Sequence, residues 1–355
     1  MKLGIFTVRS AASFKNQAAL LYKVGVKLGY EVVQKDLSER VAYPADHYDR
    51  SIVLAPLWPR YIQEAVKIAS PWITARDPLG RSQTFYLYGP VDGPLTLNVQ
   101  IFKVLEHMKV ITPSQFCADM LRSSGVQVQA VVKHGIDPQD FEFDDSPKYR
   151  RMDQLRARWP GRKILFSNIN PLHRKGLSHL AKALKILQEK RPDSWIFILH
   201  TGLKRALDYS PGLDQVKNLV IEDSYNVLPF REIALKTRSC DLFVFPSLLE
   251  GFGLPVLEAM AARRAIVCLD APPLNELVGP EEAWIFPYKR ILEERWEQPG
   301  CIAQLHEYDP GDLAQAMIQG MDHPKESLEK ADKAWERSQD FNYSRVYEPM
   351  LKGVL

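Results

Sequence analysis

Residues 245–260 read FPSLLEGFGLPVLEAM. An apolar strand runs into a Pro-Ser turn, and Glu250 follows at the start of a glycine-spaced loop. Gly251 and Gly253 let a backbone approach a ligand closely and take conformations that a Cβ forbids. Pro255 suits the first turn of a helix, where its missing N–H costs nothing. The free N–H groups and dipole of that helix make a seat for a phosphate or diphosphate. Glu250, in the loop, accepts hydrogen bonds from hydroxyls lying beside the diphosphate. Glu258 sits about one turn into the helix, where an inward carboxylate suits a vicinal diol such as a ribose. The plain structural alternative makes Glu250 a cap and Glu258 part of a solvated face. Against it, Glu258 is flanked by Val256, Leu257, Ala259, Met260 and Ala261.

Outward from this motif the chain alternates apolar runs with amphipathic stretches. In the N-terminal half, KLGIFTV, EVVQ, SIVLA, WITA and TFYLYG are expected strands, and SFKNQAALLYKVGVKLG, LTLNVQIFKVLEHM and SQFCADMLRSSG are expected helices. Ser114 is placed to cap the last of these and Gly125 to stop it. A polar, proline-marked stretch from 138 to 162 reads as a linker. The alternation then restarts with KILFSN, GLSHLAKALKILQEK, WIFILH, NLVIE, REIALKTRS and DLFVFP, followed by the motif helix and AIVCL. Two such runs predict an α/β protein of two doubly wound parallel-sheet domains facing a cleft, with ligands beyond the carboxyl ends of the strands. The expected boundaries are 1–145 and 146–340, with 341–355 a C-terminal helix returning towards the N-terminal domain. Residues 288–310, with Tyr288, Trp296 and Tyr308, repeat no part of this pattern; they read first as a surface excursion, and otherwise as a cover for the cleft or a contact for an acceptor or partner.

Composition narrows the function classes. With 46% hydrophobic and 25% charged residues the chain is an ordinary globular protein. Its formal charge of +3 is too small to argue for a nucleic-acid partner. No apolar run reaches the ~20 residues of a spanning helix, so any membrane contact is expected to be peripheral. Cys117, Cys240, Cys268 and Cys301 form no C-x-x-C pair and read as free buried thiols in a reducing compartment, which points to the cytoplasm. Neither an acid-rich metal motif nor zinc-ligand spacing stands in a convincing place, so no metal and no cofactor is expected.

The motif also resembles the signature of the retaining glycosyltransferases of family 4: a Glu, seven residues, a second Glu, with a glycine-rich turn and LPVLEAM between. DLFVFPS before it and RAIVCLDAPPLNELVG after it extend the match. VITPSQFCADMLRSSGV, VVKHGIDPQDF (His134 standing where Asn is usual) and YGPVDGPL resemble further family segments. The resemblance implies the GT-B fold, two Rossmann-like domains with the nucleotide-sugar donor held mainly by the C-terminal one. It implies that Glu258 binds the donor ribose and Glu250 the donor sugar's hydroxyls. The backbone of Gly251, Phe252, Gly253 and Leu254 lines sugar and diphosphate. In the first loop of the C-terminal domain, SNINPLHRKGLSHL, Lys175 matches the family's diphosphate-binding Lys. The usual Gly-Arg is absent there, with Asn170 nearby and Arg174 a candidate substitute. The loop EDSYNVLPFREI, with Tyr225, is placed for the base. Asp92, His134 and the small residues Ser10 and Ser13, which stand where relatives carry a Gly-Gly loop, are the acceptor-side candidates. The implied reaction is metal-independent, front-face transfer with retention, from a GDP- or UDP-hexose to a carbohydrate or lipid-linked acceptor. Two alternatives stand beside it: a non-catalytic nucleotide-sugar-binding or scaffold subunit, and a GT-B epimerase or phosphorylase. On the transferase reading, Glu250→Ala is expected to cut turnover more than stability.

Overall fold

The computed structural model describes residues 1–8, 11–39, 47–74 (71–74 as helix backbone only), 83–142, 156–225, 227–295 and 300–353. The chain divides into two compact units. Unit 1 comprises Met1–Gly135, Glu293–Gln304 and Phe341–Leu355; unit 2 comprises Ile136–Leu292 and Leu305–Asp340.

Unit 1 is built on a six-stranded parallel sheet of β1 (Lys2–Thr7), β2 (Glu31–Asp36), β3 (Arg50–Leu54), β4 (Thr84–Tyr88), β5 (Lys109–Thr112) and β6 (Ala130–Val131), in the order β2-β1-β3-β4-β5-β6. Its helix Ala12–Lys27 turns Phe14, Ala18, Leu21 and Val24 into a core that also takes Tyr347, Met350 and Leu351 of the C-terminal helix Tyr343–Lys352. Polar ties pin that helix in place: Tyr347 donates to Gln17 and accepts from the N–H of Gly135, and Lys27 reaches Ser344. The helix Gln115–Ser123 starts as the sequence predicts, with Ser114 Oγ accepting from the N–H of Cys117. One expectation is overturned. Residues 72–74 of WITA form no strand, because they belong to the helix Pro59–Thr74; Ala75 lies outside the described residues. Ile62, Ala65 and Ala69 continue a helical period through this segment, and a short apolar run cannot by itself tell the two periods apart.

Unit 2 repeats the architecture with β7 (Lys163–Asn168), β8 (Trp195–Thr201), β9 (Leu219–Asp223), β10 (Leu242–Phe245), β11 (Ala265–Asp270) and β12 (Trp284–Pro287). All pair in parallel, in the order β12-β11-β10-β7-β8-β9. Read from the other edge, the first strand of the unit lies third and the fourth lies beside it, the doubly wound Rossmann order. The direction of winding reverses between β7 and β10, so the crevice opens beyond their carboxyl ends. Strands buried on both faces explain the unbroken apolar runs LFVF and WIFIL.

Unit 1's first stretch closes at Gly135, not at 145. Residues 136–142 pack on unit 2 instead: Phe141 meets Phe230 edge to face at 5.9 Å, and Arg231 donates to the carbonyls of Gln139 and Glu142. The 288–310 excursion holds a strand pair, β13 (Arg290–Arg295) and β14 (Ile302–Glu307). Its Trp296 lies outside the described residues, as do 143–155 of the expected linker. The four cysteines are free and buried, and no described helix is long and apolar enough to cross a membrane.

Candidate functional site

The site is assembled from two loops at the switch point of unit 2. After β7 the chain makes the turn His173–Lys175 and enters the helix Leu177–Lys190 through Gly176. After β10 it runs through Ser247–Gly253 into the motif helix Leu254–Ala261. The two loops are zipped together. Leu248 N–H donates to the Arg174 carbonyl (2.8 Å), and Arg174 Nη1 donates to the Leu249 carbonyl (2.9 Å). Gly176 holds φ 70°, and an added Cβ would stand 2.0 Å from the Pro246 carbonyl oxygen. Tyr308 supports that carbonyl from below, donating its hydroxyl at 2.8 Å while fully enclosed by the core.

Glu250 is the centre of this constellation. Its carboxylate pairs with Lys175 Nζ, accepts from Ser247 Oγ at 2.6 Å, and lies 3.8 Å from Arg174 Nη1. Burial by itself would push its pKa up. The charges of Lys175 and Arg174 and the hydrogen bonds from Lys175 and Ser247 outweigh that and hold it below the usual carboxylate range. Two cations therefore meet one buried carboxylate, and the cluster keeps positive charge at the crevice. The loss of stability expected for Glu250→Ala is therefore substantial beside the loss of turnover, because Glu250 pairs with two part-buried cations.

Glu258 is its opposite. Half-buried on the motif helix, its carboxylate has no hydrogen bond or ion pair among the described residues. Burial first, and the nearby charge of Asp140 second, raise its pKa to about 8. A carboxyl left unsatisfied at the rim of a crevice is a receptor awaiting a donor group. Tyr225 faces the same space: burial and the charge of Glu258 lift its phenol to about 12, with Arg174 and Glu250 also felt. At the motif helix's head, the N–H groups of Gly253 and Leu254 donate to no described group, while those of Val256 and Leu257 already turn back to the Gly253 carbonyl. Of the two motif glycines, Gly253 is the one in the left-handed region, at φ 96°, with Leu274 Cδ2 2.5 Å from where a Cβ would sit. Gly253→Ala is therefore expected to cost about 1–3 kcal/mol, read as a lowered urea midpoint. An unchanged midpoint would show that this turn is not constrained.

The structure thus brings Glu250, Lys175 and Arg174 together, with Gly251, Phe252, Gly253 and Leu254 continuing the same loop and Tyr225 and Glu258 alongside. Asn170 lies at the start of the β7 loop, its carbonyl accepting from Leu172. In unit 1, Asp92 is buried and accepts from Trp58 Nε1 at 3.1 Å. His134 is buried too, with Nδ1 2.9 Å from the Tyr88 hydroxyl, and burial lowers its pKa to about 3. Ser13 is exposed in the first turn of helix Ala12–Lys27, and Ser10 lies outside the described residues. Sequence reasoning missed Ser247 and Asp140, neither of which stands in a pattern of its own, and it offered Tyr308 as a cleft or partner contact where the structure has it supporting the Pro246 carbonyl. It also missed His200 at the end of β8. His200 Nδ1 lies 2.9 Å from Asn168 Oδ1, its ring is 6.0 Å from that of Tyr225, and its buried Nε2 has no partner among the described residues.

Residues 155–294 match the model of the family described as Glycosyl transferases group 1. An uncharacterized glycosyltransferase of Haemophilus influenzae is 27% identical over 191 residues, 51% of this chain and 45% of that protein. The serotype-specific mannosyltransferase WbdA of Escherichia coli is 32% identical over 114 residues, 30% of this chain and 14% of the other. The chain thus spans less than half the length of these two relatives. Among solved structures, the trehalose-6-phosphate protein of E. coli bound with UDP-2-fluoro glucose superposes with a TM-score of 0.70 at 12% identity, covering 100% of this chain and 99% of that one. The fold is GT-B, two Rossmann-like parallel-sheet units. Fold and family match together support a GT-B glycosyltransferase.

Proposed function

We propose that the protein is a retaining glycosyltransferase of family 4. It moves a hexosyl unit from a nucleotide-diphosphate sugar to a hydroxyl of a carbohydrate or lipid-linked acceptor, without a metal. The observation that carries the reading is the Lys175–Glu250–Arg174 cluster at the switch point of unit 2. On this reading unit 2 is the donor side. The diphosphate lies against Lys175, Arg174 and the free N–H groups of Gly253 and Leu254, where fixed positive charge favours an anion. Glu250 takes the sugar's hydroxyls, Glu258 the ribose, and Tyr225 and Asn170 flank the nucleotide. Unit 1, with Asp92, His134, Ser10 and Ser13, is the acceptor side.

The bond between the sugar's anomeric carbon and the diphosphate breaks with its electron pair going to the phosphate oxygen. The acceptor oxygen bonds to that carbon from the same face, and its proton passes to the departing phosphate oxygen. Charge therefore grows on the diphosphate in the transition state, where Lys175 and Arg174 stabilise it most. Support for a UDP- or GDP-hexose comes from the UDP-sugar named with the E. coli structure and the mannosyl transfer named for WbdA. The proposed setting is the cytoplasm, with at most peripheral membrane contact.

The test is a thermal-shift screen against UDP-, GDP-, ADP- and CMP-sugars, with and without a chelator. A ligand bound only by the native state adds about 2.7 kcal/mol at a hundredfold excess over its Kd. A shift with one nucleotide, unmoved by chelator, is the expected result. Chelator-sensitive protection would defeat metal independence. No shift with any donor would defeat the donor site and favour a scaffold role.

A further inference from the structure

At the other end of the motif helix, about 10 Å along its axis from the crevice, lies a second cavity of about 960 Å³, lined wholly by residues of unit 2. Arg231, Arg238, Arg263 and Arg264 line it, and among the described residues Glu142 is the one acidic side chain of the lining. Trp335 and Leu328 form an apolar part of its wall and stand 40% and 58% exposed. We propose that this cavity is a second anion site, separate from the donor crevice, for a phosphate or diphosphate ester carrying an apolar or aromatic body.

Two of the four guanidinium groups are engaged by the fold. Arg263 pairs with Asp332 at 2.5 Å, and Arg231 spends two N–H groups on the carbonyls of Gln139 and Glu142. Arg264, half-buried, donates only to the carbonyls of Ala262 and Cys240, at the long distances of 3.3 and 3.5 Å. Arg238 has no hydrogen bond or ion pair among the described residues, and its charge bears on Arg264 as a like charge. Neither Arg238 nor Arg264 has a carboxylate within ion-pair distance among the described residues. Two neighbouring guanidiniums without a counter-ion are stabilised by an oxoanion, whose geometry they match with paired donors.

The backbone adds an independent observation. Arg263 takes a left-handed conformation (φ 53°) just past the end of the motif helix. Arg263 N–H donates to the Met260 carbonyl and Arg264 N–H to the Ala259 carbonyl, the pattern that glycine usually closes. The chain carries arginine at the one non-glycine position of positive φ among the described residues, and so sets a third guanidinium at the rim, 5.6 Å from the Trp335 ring. Charge inside an apolar wall favours an amphiphilic ester over bare phosphate.

The full chain is titrated calorimetrically with farnesyl diphosphate and with inorganic pyrophosphate, as wild type, Arg238→Ala and Trp335→Ala. Arg238 makes no hydrogen bond or ion pair among the described residues, so its variant reports on the site; circular dichroism verifies folding, and Arg264→Lys is a second probe. The expected result is a binding event that prefers farnesyl diphosphate and weakens at least tenfold in Arg238→Ala. Trp335→Ala loses the preference for the tail. The UDP-sugar shift, belonging to the other crevice, stays unchanged in Arg238→Ala, which separates failure here from failure of the donor site. Co-sedimentation with phosphatidic acid vesicles assigns the source: retention that Arg238→Ala abolishes points to a lipid headgroup, and binding of the soluble diphosphate alone points to a free ester. Titrations and sedimentation indistinguishable between wild type and Arg238→Ala overturn the proposal.

Discussion

Glu250→Ala is expected to abolish glycosyl transfer and to cost about 3–5 kcal/mol of stability, because it strands Lys175 and Arg174 without their counter-ion. Both cations are largely covered, so water replaces the lost carboxylate poorly. The pH dependence has a definite sign. The folded-state pKa of Glu250 lies below its unfolded value, so its contribution is present above the ordinary carboxylate range. That contribution is lost as pH falls through the folded value. Glu250→Gln removes this acid-side loss as well as the pairing. Urea melts of the wild type and both variants between pH 3 and 8, with turnover followed as nucleotide release, supply the measurement. Removing Lys175 together with Glu250 should cost less than the sum of the single losses, since the double variant removes the charge that each single variant leaves without this partner, with Arg174 alone still losing Glu250. Additive losses, or an alanine variant as stable as the wild type, would refute the ion-pair account.

Glu258→Gln should do the reverse to stability. The folded-state pKa of Glu258 is raised to about 8, so its neutral form is the one the fold accommodates. Its contribution is complete below the unfolded carboxyl pKa and is lost as pH rises through about 8. Near pH 8 the neutral isostere is expected to be more stable than the wild type by on the order of 2 kcal/mol, after allowance for its partial exposure. Between pH 4.5 and 8 the stability of the variant should fall less steeply than that of the wild type. The same substitution should weaken nucleotide binding about tenfold above pH 8, where Glu258 is ionised and its carboxylate makes a charge-assisted hydrogen bond that the amide cannot. A residue that lowers stability while improving ligand binding is the usual signature of a functional position. Equal melts at pH 8 together with equal nucleotide affinity would remove Glu258 from the site.

Much of this molecule is local, and the local part was legible. The restart of strand–helix alternation at KILFSN, the Ser114 cap, Pro255 at the head of the motif helix and the scattered cysteines follow from periodicity, side-chain hydrogen bonding and spacing within a few residues. The conformation of Gly253 is of the same kind. WITA failed because three apolar residues and a threonine fit either period, and the turns of helix before them decided the matter.

What only the tertiary structure decided is whatever depends on residues far apart in the chain. Lys175 and Glu250 are 75 positions apart. They meet because β7 and β10 are neighbours in the sheet, an order no stretch of sequence carries by itself. Tyr308 and Asp140 acquire their roles the same way, by lying beside a carbonyl or a carboxylate delivered by another element, whereas Ser247 meets Glu250 three residues along the same loop. Sequence identifies both Glu250 and Glu258 as carboxylates of one motif. Burial with two cations makes the first a held anion, and burial without a partner makes the second a weak acid. The desolvation that separates them exists only once the chain has packed around both.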